Sequence, residues 1–107
     1  MPVIRIEYDD NAINKPSIKE LAVAVQKIVS EETDIKEVMV YVNSSQIKIA
    51  VDPIEIFVEM SKNKILDRSD LISRVKSRIK VWKSDNRFTT PINLTITPMD
   101  WNLEIGI

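Results

Sequence analysis

Residues 2–8 read Pro-Val-Ile-Arg-Ile-Glu-Tyr, and the reading of the whole chain starts there. Ile4, Ile6 and Tyr8 fall on one side of this stretch, and Val3, Arg5 and Glu7 on the other. Alternation with a period of two marks a strand with one buried face. Pro2 stands directly behind the initiator methionine. That methionine is usually trimmed when a small residue or proline follows, which would leave Pro2 with a free secondary amine. Burial at a strand start lowers the pKa of such an amine, because low dielectric disfavours its charged form. A base poised near neutral pH can then move protons on carbon. With Met1 retained, the same nitrogen is an amide with no basicity. Proline is also an ordinary first residue of a strand, where no ladder donor is required.

Asp9-Asp10-Asn11 follows as a turn. Ser17 and Glu20 have the spacing of a capping box. Ile18, Leu21, Ala22, Val25, Ile28 and Val29 recur at helical spacing, which predicts an amphipathic helix over 17–32. Val38, Val40 and Val42 then alternate with Met39, Tyr41 and Asn43 in a second strand. Asn43-Ser44-Ser45 turns it, and residues 46–51 read as a short strand. Ile54, Ile56, Val58 and Met60 share one face of a further strand, followed by a loop at Lys62-Asn63-Lys64. Asp67 or Ser69 caps a second helix to about Lys83, with Leu71, Ile72, Val75, Ile79 and Trp82 on its apolar side. Residues 92–97 make a last main strand that buries Ile92, Leu94 and Ile96.

The expected fold is α+β: a β-α-β-β-α-β two-layer sandwich with a four-stranded mixed sheet and two helices on one face. The opposite face carries Arg5, Glu7, Tyr41, Asn43, Phe57, Glu59, Asn93, Thr95 and Thr97. It either faces solvent or lines a cavity between subunits. Leu103, Ile105 and Ile107 alternate in the tail, which as a lone terminal strand wants an edge to pair with, its own or a neighbour's.

At 107 residues, 44% hydrophobic and 29% charged, the chain reads as one globular domain over residues 1–107. No apolar run spans a membrane and no secretory signal opens the chain, so a cytoplasmic protein is the default. Without Cys or His there is no disulfide framework, no thiolate or imidazole chemistry, and no usual zinc ligand set. No metal and no cofactor are expected. Gly106 is the only glycine, which excludes Gly-rich phosphate loops. Catalysis therefore falls to carboxylates, Lys or Arg, Tyr, hydroxyls or the N-terminal amine. Nine Lys/Arg against three Asp/Glu make residues 61–87 basic. Arg74, Arg78, Lys76 and Lys80 flank an apolar stripe there, the pattern of a helix with a cationic solvent face rather than of a nucleic-acid reader.

The order of elements, with its penultimate proline and acidic turn, resembles the tautomerase superfamily. The likeness is to its 5-carboxymethyl-2-hydroxymuconate isomerase and macrophage migration inhibitory factor branches. Residues 1–13, MPVIRIEYDDNAI, resemble the isomerase opening, and residues 57–65, FVEMSKNKI, the family's Phe-Val-His-Met strand and Lys-Ile turn. Arg68-Ser69 falls where that branch has an Arg-Ser pair, and residues 98–102, PMDWN, are similar to a turn of the migration-factor branch. The resemblance covers nearly the whole chain in element order, through short motifs. It implies a homotrimer with sites near subunit interfaces, in which Pro2 shuttles a proton in a small 2-oxo or 2-hydroxy-enoic carboxylic acid. Cationic side chains would hold the substrate carboxylate. The family's second-strand arginine is absent from Val38-Met39-Val40-Tyr41, and Asn93 and Thr95 stand where the migration factor has tyrosine and asparagine. A substrate identical to that of the well-known members is therefore not expected.

Beside catalytic Pro2, the candidate substrate-binding residues are Arg5, Arg68, Lys62 and Tyr41. A guanidinium offers a carboxylate two parallel donors, which suits Arg68 or Arg5. Arg5 is equally suited to pairing across strands with Glu59 or Glu7, and Arg68 to solvation at a helix start. Lys62 and Lys64 are loop lysines. Tyr41 can donate to a developing enolate oxygen or pack on the sheet. Two other classes fit the same elements: a catalytically silent homotrimeric binding or structural module, and a ferredoxin-like dimeric domain. Subunit count separates the last from the first two.

Overall fold

The computed structural model describes residues Met1–Ile107. Its elements run β1 (Val3–Tyr8), α1 (Lys15–Thr33), β2 (Met39–Asn43), β3 (Ile54–Ser61), a 3-10 turn (Lys62–Lys64), α2 (Arg68–Asp85) and β4 (Asn93–Met99). The sheet order is β2-β1-β3-β4. β1 is parallel to β2 and antiparallel to β3, and β3 is parallel to β4. Each parallel pair is joined through a helix, as the expected order requires.

Alternation in β1 and β3 translates directly into burial, because successive side chains point to opposite faces. Ile4, Ile6, Ile54, Ile56, Val58 and Met60 are sealed against Ile18, Leu21, Val25 and Val29 of α1 and Leu71, Val75 and Ile79 of α2 in one continuous core. Both helices lie on that face, and Arg5, Tyr41, Phe57 and Thr95 form a row across the other.

α1 begins two residues before Ser17. Asn14 Oδ1 accepts a 2.9 Å hydrogen bond from Ser17 N–H, and Pro16 sits in the first turn, where its missing donor costs nothing. Asn14 is therefore the cap, and Ser17 is inside the helix. Asp34 ends α1 in a left-handed conformation with φ 54°. α2 is capped by Asp67, whose Oδ1 accepts from Asp70 N–H at 3.0 Å, and runs to Asp85. β4 starts one residue after Ile92 and reaches Met99, with Pro98 tolerated because β4 is an edge strand. Val42, expected on the buried face, is more than a third exposed, since β2 is the opposite edge.

Residues 46–51 are not a strand. Lys48 Nζ is held by Asp10 Oδ1 at 2.6 Å, Asp9 Oδ1 at 3.5 Å and Ser44 Oγ at 2.9 Å. Ala50 takes a left-handed φ of 56°, which extended pairing does not allow. The segment is thereby fastened to the turn after β1 instead of folding back along β2. The tail after β4 also forms no strand, and Leu103, Ile105 and Ile107 are exposed. No helix is long and apolar enough to cross a membrane.

Two of the three arginines of α2 reach the end of α1. Arg74 pairs with Glu32 at 2.6 Å and Asp70 at 2.8 Å, and Arg78 pairs with Glu31 at 2.6 Å and Glu32 at 3.2 Å. Trp82 is partly buried against the core and meets Phe88 with ring centroids 5.3 Å apart.

Candidate active site

Pro2 is fully buried at the head of β1, and its carbonyl accepts a 3.2 Å hydrogen bond from Met39 N–H at the head of β2. Because β1 and β3 are antiparallel, with Val3 opposite Glu59, the end of β3 lies beside the start of β1. Parallel pairing of β3 with β4 brings Met99 to the same end, opposite Ser61. Pro2, the Lys62–Lys64 turn and the residues after Met99 therefore gather at one end of the sheet. There Trp101 Nε1 donates to Ser61 Oγ at 2.9 Å, and Lys62 Nζ reaches Asp100 at 3.2 Å. Arg68 opens α2 four residues beyond that turn, exposed and without a hydrogen-bond partner in the chain.

Arg5 and Tyr41 belong elsewhere. Pro2 falls in the buried series with Ile4 and Ile6, whereas Arg5 projects from the open face. Its Nε donates to Glu59 Oε1 at 3.1 Å, and its guanidinium lies 5.1 Å from the centroid of Phe57, directly opposite. Tyr41 stands on the other side of Arg5, half exposed, with its hydroxyl 4.0 Å from Met39 Sδ. The Glu59 carboxylate already occupies one donor of Arg5. An incoming carboxylate would have to compete with it or use the remaining nitrogens.

Asn93 is committed as well: its Nδ2 donates to Asp52 Oδ2 and Glu55 Oε1, both at 2.8 Å. The main surface cavities lie away from Pro2. The roomiest, about 740 Å³, is an apolar groove between α1 and the free edge of β2, lined by Tyr8, Ile18, Ala22, Val23, Val40 and Val42 with Lys15 and Lys19. No group of side chains is disposed to hold a metal ion.

Two features escaped the sequence reading. The Trp101–Ser61 hydrogen bond joins residues 40 apart, a separation that neither periodicity nor local motif records. The Lys48 anchor was hidden because Ile47, Lys48 and Ile49 alternate as a surface strand would. The anchor leaves clear electrostatic traces: the Lys48 ammonium holds the Asp10 carboxyl below its ordinary range, and Asp10 in turn raises Lys48.

No family model matches the sequence, and no curated protein matches it in sequence. Solved structures do match the fold. Macrophage migration inhibitory factor from Toxoplasma gondii superposes with a TM-score of 0.64 at 16% identity, covering 97% of this chain and 97% of that one. 5-Carboxymethyl-2-hydroxymuconate delta-isomerase gives 0.63 at 9% identity, covering 99% and 89%. A domain of unknown function (DUF1904) from Sebaldella termitidis gives 0.66 at 11% identity, covering 100% and 98%. These likenesses extend over whole chains and agree with the strand order and helix placement found here. The chain therefore shares the fold of macrophage migration inhibitory factor and of 5-carboxymethyl-2-hydroxymuconate delta-isomerase.

Proposed function

We propose that this protein is a tautomerase-like isomerase that moves a proton in small 2-oxo or 2-hydroxy-enoic carboxylic acids. Pro2 is the base. Once Met1 is removed, its nitrogen takes a proton from the carbon next to the carbonyl, leaving an enolate whose oxygen takes a proton from water to give the enol. In the reverse step the hydroxyl proton returns to water as the proline nitrogen returns a proton to carbon. Lys62 and Arg68 hold the substrate carboxylate, while Arg5 and Tyr41 act from the open face, where a neighbouring subunit can complete a cavity. The observation that carries the reading is the burial of Pro2 at a strand head to which the antiparallel register also brings Lys62. Apolar surface left bare at residues 47–51 and in the tail supports self-association, and the assembly proposed is a homotrimer in the cytoplasm.

The intact mass of untagged protein comes first. A mass lacking methionine is the expected result, followed by proton–deuteron exchange at C3 of a 2-oxo acid that Pro2→Ala abolishes. A mass retaining Met1 at full occupancy would remove the base and overturn the enzymatic reading.

A further inference from the structure

Lys62 and Asp100 hold equivalent places at the end of the sheet that carries Pro2. Ser61 and Met99 are the last pair of the parallel β3–β4 ladder, and Lys62 and Asp100 are the next residue of each chain segment. That register sets an ammonium beside a carboxylate, and Lys62 Nζ meets Asp100 Oδ2 at 3.2 Å. The residue after Asp100 is fastened in turn: half-buried Trp101 donates its indole N–H to Ser61 Oγ at 2.9 Å. Asp100 is thus held between the end of a strand and a pinned tryptophan. Of the three cations in this turn and the start of α2, Lys62, Lys64 and Arg68, Lys62 is the one engaged by a carboxylate.

We infer that Asp100 is a built-in competitor for the carboxylate site: it occupies the Lys62 ammonium with the functional group a substrate would bring, so an acid must displace it to bind. This inference rests on the role proposed above for Lys62. The pair is open to solvent, with 63% of the Lys62 side chain and 84% of the Asp100 side chain exposed. One carboxylate therefore replaces another without movement of the backbone. Exposed pairs are weak, so Asp100 raises the concentration of acid required and does not bar it. Trp101 is the positioning residue, since tethering the chain beyond Asp100 raises the effective concentration of its carboxylate at Lys62. The competition is confined to anions, because an uncharged ketone takes nothing from Lys62. An acid that also engages the unpaired Arg68 gains a contact that Asp100 does not contest.

The test is an NMR titration of the full chain at fixed ionic strength, because salt screens exposed charges. The probes are 2-oxobutanoate and its uncharged analogue 2-oxobutanamide, followed at the backbone amides of residues 62–64. Asp100→Asn is expected to lower the Kd of 2-oxobutanoate about two- to fivefold, the strength of an exposed ion pair, and to leave that of the amide unchanged. Asp100→Glu should return the acid toward its wild-type Kd. Trp101→Phe keeps every charge and loses the donor to Ser61, and should tighten the acid by a smaller factor. Thermal melting is the folding control, and should Trp101→Phe melt early, Ser61→Ala removes the same hydrogen bond. In a Lys62→Met background Asp100→Asn should no longer matter; a gain that persists there is a diffuse charge effect and overturns the pairing. An acid Kd unchanged or raised in Asp100→Asn, or acid and amide tightened equally, overturns the competitor and leaves the carboxylate site standing. No saturable shift with 2-oxobutanoate in either wild type or Asp100→Asn overturns both.

Discussion

The side chains of β1 divide cleanly between two kinds of energy. Leu21 is fully buried opposite the Ile4–Ile6 face, and Leu21→Ala is expected to cost about 2–5 kcal/mol, read from urea denaturation. Arg5 keeps 44% of its side chain exposed beside Glu59. Its replacement by alanine should cost no more than about 1 kcal/mol, since exposed pairs are screened and mobile. Glu7 presents the reverse case. It stands directly opposite Glu55 across the β1–β3 ladder, and like charges so placed repel. Glu7→Gln is therefore expected to stabilise the fold by about 0.2–1 kcal/mol at neutral pH. The same denaturation series at neutral pH checks it.

Between elements, the ion-pair cluster joining the end of α1 to α2 ties stability to pH. The Arg74 hydrogen bond holds the Glu32 carboxyl below its ordinary range, with Arg78 adding to the effect against the opposing pull of desolvation. A group whose folded pKa lies below its unfolded one binds fewer protons when folded. Its contribution is therefore complete above the ordinary glutamate range and is lost as pH falls through the depressed folded value. Glu32→Gln should flatten the acid limb of a melting-temperature profile and leave the limb above pH 7 parallel to wild type. The elements themselves were legible in the sequence wherever one side chain pattern decided them: alternation in β1 and β3, and helical spacing from Ile18 to Val29. Failures came where a single polar contact outvoted the pattern. Asn14 moved the helix start, and Lys48 pulled residues 46–51 out of extended conformation. Neither contact is local in a way that periodicity records, least of all Lys48 to Asp10, 38 residues apart. Of the candidate site, the placement of Pro2 and Lys62 at one end of the sheet needed the antiparallel β1–β3 register, which element order does not give. That Arg5 falls in the opposite series from Pro2 was already fixed by strand period, since residues an odd number apart point to opposite faces.

For the molecule as a whole, the unresolved balance is apolar surface. Its core is closed by two helices on one side of the sheet, yet Ile47, Ile49, Leu103, Ile105 and Ile107 stay bare. Scattered exposed leucines are ordinary, whereas bare aliphatic rows next to unpaired strand edges mark an interaction surface or an aggregation hazard. The two rows come directly after the two edge strands in the chain: residues 47–51 follow β2, and the tail follows β4. Association of copies through both edges would remove every free edge at once. The tail contributes no side chain to the core. Deleting residues 102–107 is accordingly expected to shift the folding stability of the single chain by no more than about 0.5 kcal/mol. The same deletion should lower the solution mass below three times 12.3 kDa, the mass of the proposed homotrimer. Light scattering beside a denaturation curve separates the two effects. Loss of the fold together with the assembly would show the tail to be part of one chain's own stability, and an unchanged trimer would confine association to the β2 edge.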